Sequence, residues 1–186
     1  KHYHSINLQI ICDAHHIITN VCAKCPGSGH DSYIFQQSEI YHHDTHAMTH
    51  LSMFGDSGYG LRPWVMTPLS NAETKAQVRY NHAHVATRCV IERTFGILKC
   101  RFRCLDHSGG ALKYAPEKVC KIIVLCSMLY NLAMHWGMPD DLDETLQVPA
   151  PAEPQEPIAQ PQASREGRRL QNRLIENVFT CKSDQK

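Results

Sequence analysis

Residues 71–103 are the segment that most limits how this chain can fold, because they contain no proline and only one glycine. Their apolar positions recur at helical spacing, at Val78, Val85, Cys89, Phe95 and Phe102. This spacing predicts an amphipathic helix, the longest of the chain, with one face that must be buried against another layer.

The beginning of the chain has the pattern of a β-hairpin. Residues 5–12 and 17–23 are rich in apolar and β-branched side chains, and the polar residues 13–16 separate them. Two such runs joined by a short turn predict an antiparallel pair of strands, which residues 26–29 bring to an end.

A short helix and a further strand are predicted before the long helix. Residues 31–41 place apolar side chains near helical spacing after Asp31, and residues 51–54 form a short apolar strand that ends just before Asp56.

The residues after the long helix predict one more core helix and a separate tail. Pro116 suits a first helical turn, and the wide apolar face that continues to His135 predicts a mostly buried helix. Five of the ten prolines lie within residues 149–161, a composition typical of a linker. Residues 168–179 predict a basic amphipathic helix that docks either on the domain or on a partner.

Composition indicates an intracellular protein with one core. The 186 residues are 42% hydrophobic, which suffices for one domain, and no uninterrupted apolar run suggests a membrane span. The nine cysteines are odd in number and follow no secretion signal, so reduced thiols are expected. Because the chain starts at Lys1 and runs straight into a strand, we interpret it as an internal fragment.

Positive charge is concentrated in the long helix, although the net charge is only +1. Residues 75–103 contain seven basic side chains and one acidic side chain, Glu92. Such an asymmetry favours a polyanionic partner. A solvated helix face is the simpler alternative.

Three acidic residues occupy positions that suit metal chemistry. Asp31 follows a strand and a loop, Asp56 lies at a strand end, and Glu92 lies in the middle of the long helix. If Asp56 and Glu92 converge, a divalent cation would neutralise the two charges, and oxygen ligands favour Mg²⁺ or Mn²⁺. Two structural alternatives remain open: Glu92 pairs with Arg88 one turn earlier, or Asp56 caps a turn.

Two weaker motifs could bind a transition metal. Cys22 and Cys25 form a Cys-x-x-Cys pair, but no second pair at zinc spacing follows. His42, His43, His46 and His50 cluster in one segment, for which a solvated loop is the alternative.

Four sequence blocks, in order, resemble the PIF/Harbinger family of transposase-derived nucleases. They are residues 27–32, 55–68, 79–84 and 90–99, and the similarity continues through residues 101–105, 109–118 and 130–131. The resemblance covers most of residues 1–136. It implies that residues 1–136 are the C-terminal part of a nuclease domain. The composition of the remaining residues adds a proline-rich linker (137–163) and a basic terminal helix (164–186).

The resemblance implies an α/β fold with a ribonuclease-H-like DDE nuclease core, a mixed sheet flanked by helices. In it, Asp56 would be the second aspartate of the metal triad and Glu92 the final glutamate, with Asp31 as an additional ligand. The cofactor would be Mg²⁺ or Mn²⁺ and the substrate DNA, with phosphates contacted by Arg93, Lys99, Arg101 and Arg103. The implied compartment is the nucleus, with the cytoplasm as a second one.

The sequence departs from the family in one respect. The family's first aspartate lies in an Ile-Asp-Gly-Thr-like strand upstream of the segment that opens this chain, so the first strand of the sheet is expected to be missing. Cleavage by this chain alone would then be impaired. The rival hypothesis is a catalytically dead, domesticated transposase that binds DNA and a Myb-like protein partner.

Overall fold

A computed structural model describes residues 5–27, 31–42, 52–106, 110, 112–138 and 163–180. In chain order the elements are β1 (Ile6–Cys12), β2 (Ile18–Pro26), α1 (Asp31–Gln36), α2 (Glu39–His42), β3 (Met53–Phe54), β4 (Val65–Met66), α3 (Lys75–Arg101), α4 (Pro116–His135) and α5 (Arg165–Leu174). A 3₁₀ turn spans Arg103–Leu105, and a π-helical turn, Ile175–Phe179, continues α5. The predicted mixed α/β class is confirmed, while the ribonuclease-H-like arrangement stays a prediction.

The chain divides into two compact units. Unit 1 comprises residues 1–29 and 89–150, and unit 2 comprises residues 30–88 and 151–186. The single helix α3 contributes its first part to unit 2 and its second part to unit 1.

Unit 1 is built on the predicted hairpin. Strands β1 and β2 pair antiparallel, with Ile10 opposite Val21 and Cys12 opposite Ile18. Asp13 closes the turn, because its Oδ1 accepts hydrogen bonds from the backbone N–H groups of His15 and Ile17, each at 2.9 Å. His16 adopts a left-handed φ of 65°, a conformation that histidine tolerates better than most side chains.

Helix α4 packs on β2 in the core of unit 1. Ile18, Ile97, Cys126 and Tyr130 are among the buried residues of this core. Asn131 fixes the position of α4 along the strand, since its side chain bonds both the N–H and the C=O of Ile18, at 2.9 and 2.7 Å.

The prediction that α4 is mostly buried is wrong. Its apolar residues occupy more than one face, and within the described part of the chain only the face toward β2 is covered, so Leu125 is 55% exposed and Met128 64% exposed. By length and composition alone α4 could also cross a membrane, but core helices of ordinary globular proteins meet the same criterion.

Unit 2 has an aromatic core beside a very short parallel sheet. Met53 and Phe54 of β3 pair with Val65 and Met66 of β4. Phe35 of α1 packs against Trp64 with ring centroids 5.5 Å apart, and both side chains are buried. The helix predicted over residues 31–41 is interrupted, because the Ser38 hydroxyl donates to the Phe35 carbonyl at 2.6 Å where α1 ends.

Candidate functional site

Asp56 lies directly after β3 in a turn that its own side chain stabilises. The Gly55 N–H donates to the Met66 carbonyl at 2.9 Å, which continues the β3–β4 pairing up to this point. The carboxylate Oδ1 accepts the Gly58 N–H at 2.8 Å, and the Asp56 carbonyl accepts the Tyr59 N–H at 3.2 Å. The alternative in which Asp56 caps a turn is therefore confirmed, and the same bond orients its half-buried carboxylate.

The two glycines beside Asp56 allow the tight course of this turn. A Cβ at Gly55 would lie 3.1 Å from the Tyr59 ring, and a Cβ at Gly58 would lie 3.1 Å from Oδ1 of Asp56. A side chain at Gly55 would push the Tyr59 ring aside by a few tenths of an ångström, and one at Gly58 would push the Asp56 carboxylate itself.

His84 anchors α3 to this part of unit 2. The side chain is 1% exposed, its Nε2 lies 3.3 Å from the Met66 carbonyl oxygen, and its ring packs 5.8 Å from that of Phe54. Burial lowers the pKa of His84 below its usual value of 6.5, and the nearby Arg88 charge lowers it further. Hydrogen bonding to backbone groups and the charge of Asp56 act in the opposite direction.

Sequence reasoning missed His84. It lies in the family-like block of residues 79–84, but helical spacing does not reveal that its ring is buried beside strands β3 and β4.

Glu92 belongs to the part of α3 that lies in unit 1. Its side chain is half-buried, and the helical turn that carries it is held by His16 from the hairpin. Nδ1 of His16 lies 2.9 Å from Oγ1 of Thr94 and 3.2 Å from the Val90 carbonyl oxygen. The Thr94 hydroxyl also donates to the Val90 carbonyl, at 2.8 Å.

The predicted metal ligands have the donor type that divalent cations select, since carboxylate oxygens suit Mg²⁺ and Mn²⁺. Asp56 belongs to unit 2 and Glu92 to unit 1, and the side chain of Asp31 lies outside the described part of the structure. Among the residues that the structure describes, no three His, Cys, Asp or Glu side chains form a group able to hold a metal. The metal site stays a prediction.

The side chains that were predicted to contact phosphates differ in their exposure to solvent. Arg93, Lys99 and Arg103 are exposed. Arg101 is half-buried and donates to the Met138 carbonyl at 2.8 Å, so this side chain has a structural role.

The two weaker metal motifs are only partly described. Cys22 is a half-buried free thiol, while the side chain of Cys25 lies outside the described residues. Of the histidine cluster, His42 is described and exposed, and His43, His46 and His50 lie outside the description.

Comparison with known proteins gives consistent matches. Residues 1–131 match the family model described as DDE superfamily endonuclease. The chain is 45% identical over 139 residues to the mouse (Mus musculus) protein named "Putative nuclease HARBI1", and equally similar to the human (Homo sapiens) one. It is 26% identical over 159 residues to the Arabidopsis thaliana "Protein ALP1-like".

These alignments cover unequal parts of the two chains. They include 74% of this chain but 40% of the mouse and human relatives, and 76% of this chain but 37% of the Arabidopsis protein. No solved structure matches the chain significantly.

Proposed function

This chain belongs to the DDE superfamily endonuclease family, as a Harbinger-like, transposase-derived member, and from that premise we propose a divalent-metal-dependent nuclease that hydrolyses DNA phosphodiester bonds. The observation that carries the proposal is the turn at Asp56. It places an oriented, half-buried carboxylate at a strand end, inside the block 55–68 that resembles the family.

The chemistry assigned to the carboxylates is ligation of the cation. Asp56 and Glu92 would hold Mg²⁺ or Mn²⁺, with Asp31 as an additional ligand, and the cation would activate the attacking water and stabilise the leaving oxygen. The Gly58 N–H keeps Oδ1 of Asp56 in one orientation, and His16 holds the turn on which Glu92 sits. In hydrolysis the water oxygen bonds to phosphorus, and the sugar oxygen leaves with a proton.

The DNA backbone would be contacted by exposed side chains of unit 1. Arg93, Lys99 and Arg103 are assigned to phosphates, whereas Arg101 contributes charge from a side chain bonded to Met138. The chain covers 40% of its mammalian relatives, so target selection, a Myb-like partner and nuclear localisation belong to the proposal for the whole protein.

A plasmid-nicking assay on the full-length protein tests the proposal. Asp56→Asn and Glu92→Gln should each abolish Mn²⁺-dependent nicking and leave duplex binding intact, while Glu73→Gln, an exposed acid in unit 2, should have no effect. Nicking that survives Asp56→Asn would refute the assignment.

A second candidate is a DNA- and protein-binding module without catalysis. It is favoured by the exposed basic side chains Arg93, Lys99 and Arg103, which can bind phosphates without any metal. A module of this kind would bind duplex DNA without nicking it, and Asp56→Asn would change neither property.

A further inference from the structure

Helix α5 follows the part of the chain that matches the family model, which ends at residue 131. It is nevertheless built into unit 2 through one face. Gly167, Gln171 and Ile175 are buried at steps of four residues, which places them on a single stripe of the helix. Ser164 is the N-cap residue of α5, and its N–H donates to the Leu61 carbonyl at 3.0 Å.

Several interactions along its length fix the orientation of α5. Nε2 of Gln171 donates to the Thr67 carbonyl at 2.7 Å and to the Tyr80 hydroxyl at 3.0 Å. Beyond its end, Nε of Arg79 donates to the Phe179 carbonyl at 2.8 Å. Gly167 approaches so closely that a Cβ would lie 2.8 Å from the Arg62 carbonyl carbon.

The face opposite this stripe carries Arg165, Arg169 and Arg173 together with Glu166, while Arg168 lies beside the stripe. Arg165, Arg168, Arg169 and Arg173 are all exposed. Arg165, Arg169 and Arg173 follow one another at steps of four residues, so at 3.6 residues per turn they lie along one side of the helix. Glu166 and Glu176 are the acidic residues in the described segment 163–180, so this segment carries an excess of two positive charges.

The charges of α5 offset one another only in part. Like charges four residues apart repel each other, as Arg165 and Arg169 do, and again Arg169 and Arg173. Arg165 lies in the first turn, where the helix dipole disfavours positive charge, but Glu166 in the same turn and Arg173 in the last turn are placed favourably. An external polyanion would remove the repulsion that remains between the arginines.

We propose that the outward face of α5 binds the phosphate backbone of duplex DNA without reading its sequence. The choice of DNA as the polyanion rests on the proposed function. Arg165 and Arg173 are eight residues apart, about 12 Å along the helix, a distance over which duplex DNA presents about seven phosphates. Guanidinium groups bind phosphate oxygens with two parallel hydrogen bonds.

Salt-dependent binding of a short random-sequence duplex to this chain tests the proposal by fluorescence anisotropy. Substituting Arg165, Arg168, Arg169 and Arg173 together by Gln keeps helix propensity nearly constant. The slope of log affinity against log salt should fall by up to about 3.6, which is about 0.9 for each phosphate that the variant no longer neutralises. The matched control substitutes four exposed lysines of unit 1 by Gln: Lys24, Lys113, Lys118 and Lys121.

Three outcomes would overturn the proposal. The first is an unchanged slope in the arginine variant, with circular dichroism confirming that it is folded. The second is an equal fall in the lysine control, which would mean that only the number of charges matters. The third is an arginine variant that no longer binds polyglutamate but still binds DNA, which would mean that this face binds an acidic protein.

Failure of the nuclease proposal gives a different pattern. If α5 binds DNA but the full-length protein never nicks it, the inference about α5 stands and only the catalytic proposal is refuted. Nicking that persists in the arginine variant, with an unchanged salt slope, would refute only the role of α5.

Discussion

Gly167 and Gly96 show at the residue scale how a helical glycine can be either required or replaceable. A Cβ at Gly167 would overlap the backbone of Arg62, whereas a Cβ at Gly96 would meet nothing within 4 Å. We expect Gly167→Ala to destabilise the chain by about 1–3 kcal/mol through overpacking. Gly96→Ala should instead stabilise it by about 0.5–1 kcal/mol, because alanine favours helix.

Urea denaturation of the two alanine variants measures this difference. Equal effects at both positions would contradict the close approach of α5 to Arg62.

His84 makes stability depend on pH. Because burial lowers its pKa in the folded state, the unfolded chain takes up the proton first as the pH falls below about 6.5. The contribution of His84 is fully present above that pH and is lost as the pH falls toward the folded-state pKa, at up to about 1.4 kcal/mol per pH unit.

Comparing variants isolates this effect from the other histidines. His84→Gln should flatten the pH dependence of the free energy of unfolding as the pH falls below about 6.5. His82→Gln, at an exposed position of the same helix, should leave it unchanged. Parallel curves for His84→Gln and the parent chain would exclude a buried neutral imidazole.

Cys126 and Cys104 should differ sharply in reactivity. Burial raises the pKa of Cys126 to about 11, and the adjacent Cys104 thiol acts in the same direction. At pH 8 only about one Cys126 in a thousand would then be a thiolate, the form that alkylates. Iodoacetamide should therefore modify exposed Cys104 much faster than Cys126, as peptide mass spectrometry would show. Equal rates would contradict the packing of α4.

Asp56 and His84 mark the limit of sequence reasoning for single residues. The strand-end position of Asp56 was predicted correctly, because an apolar run followed by Gly-Asp-Ser-Gly is a local pattern. The burial of His84 depends on Phe54 and Met66, which are distant in sequence, so no local pattern could reveal it.

At the scale of elements, asparagines attach each unit's helix to neighbouring backbone. Asn131 of α4 bonds both polar groups of Ile18, and Asn81 of α3 does the same for Leu69, with both bonds at 2.9 Å. Asn131→Ala should cost about 1–3 kcal/mol, because partly buried backbone groups lose their partner. Asn172→Ala, on the exposed side of α5, is the control.

Thermal unfolding followed by circular dichroism measures both asparagine variants. Similar midpoints for Asn131→Ala and Asn172→Ala would mean that the side chain of Asn131 does not hold α4 on β2.

Elements with a strong local pattern were predicted and those set by residues distant in sequence were not. The hairpin and the long helix were predicted within a few residues of β1, β2 and α3. Strand β4 was missed because its two residues lie between Pro63 and Pro68, in a segment that looks like a loop. The exposed side of α4 was missed because an apolar residue does not reveal whether another element covers it.

At the scale of the whole molecule, the chain combines a family-matched part with a helix that the match does not include. The match ends at residue 131, yet α5 packs against Thr67 and Tyr80 of unit 2. The tail was predicted to dock either on the domain or on a partner, and the structure selects the domain. Composition could not decide this, because it depends on the fit of Gly167 and Gln171.

The central proposal is that Asp56 and Glu92 bind one divalent cation. Calorimetric titration with Mn²⁺ tests it most directly, on this chain and on a longer one that includes the family's Ile-Asp-Gly-Thr strand. We predict saturable binding by the longer chain that is lost in Asp56→Asn and in Glu92→Gln and retained in the Glu73→Gln control. Absence of binding in the longer chain, or binding unchanged by the first two substitutions, would contradict the account.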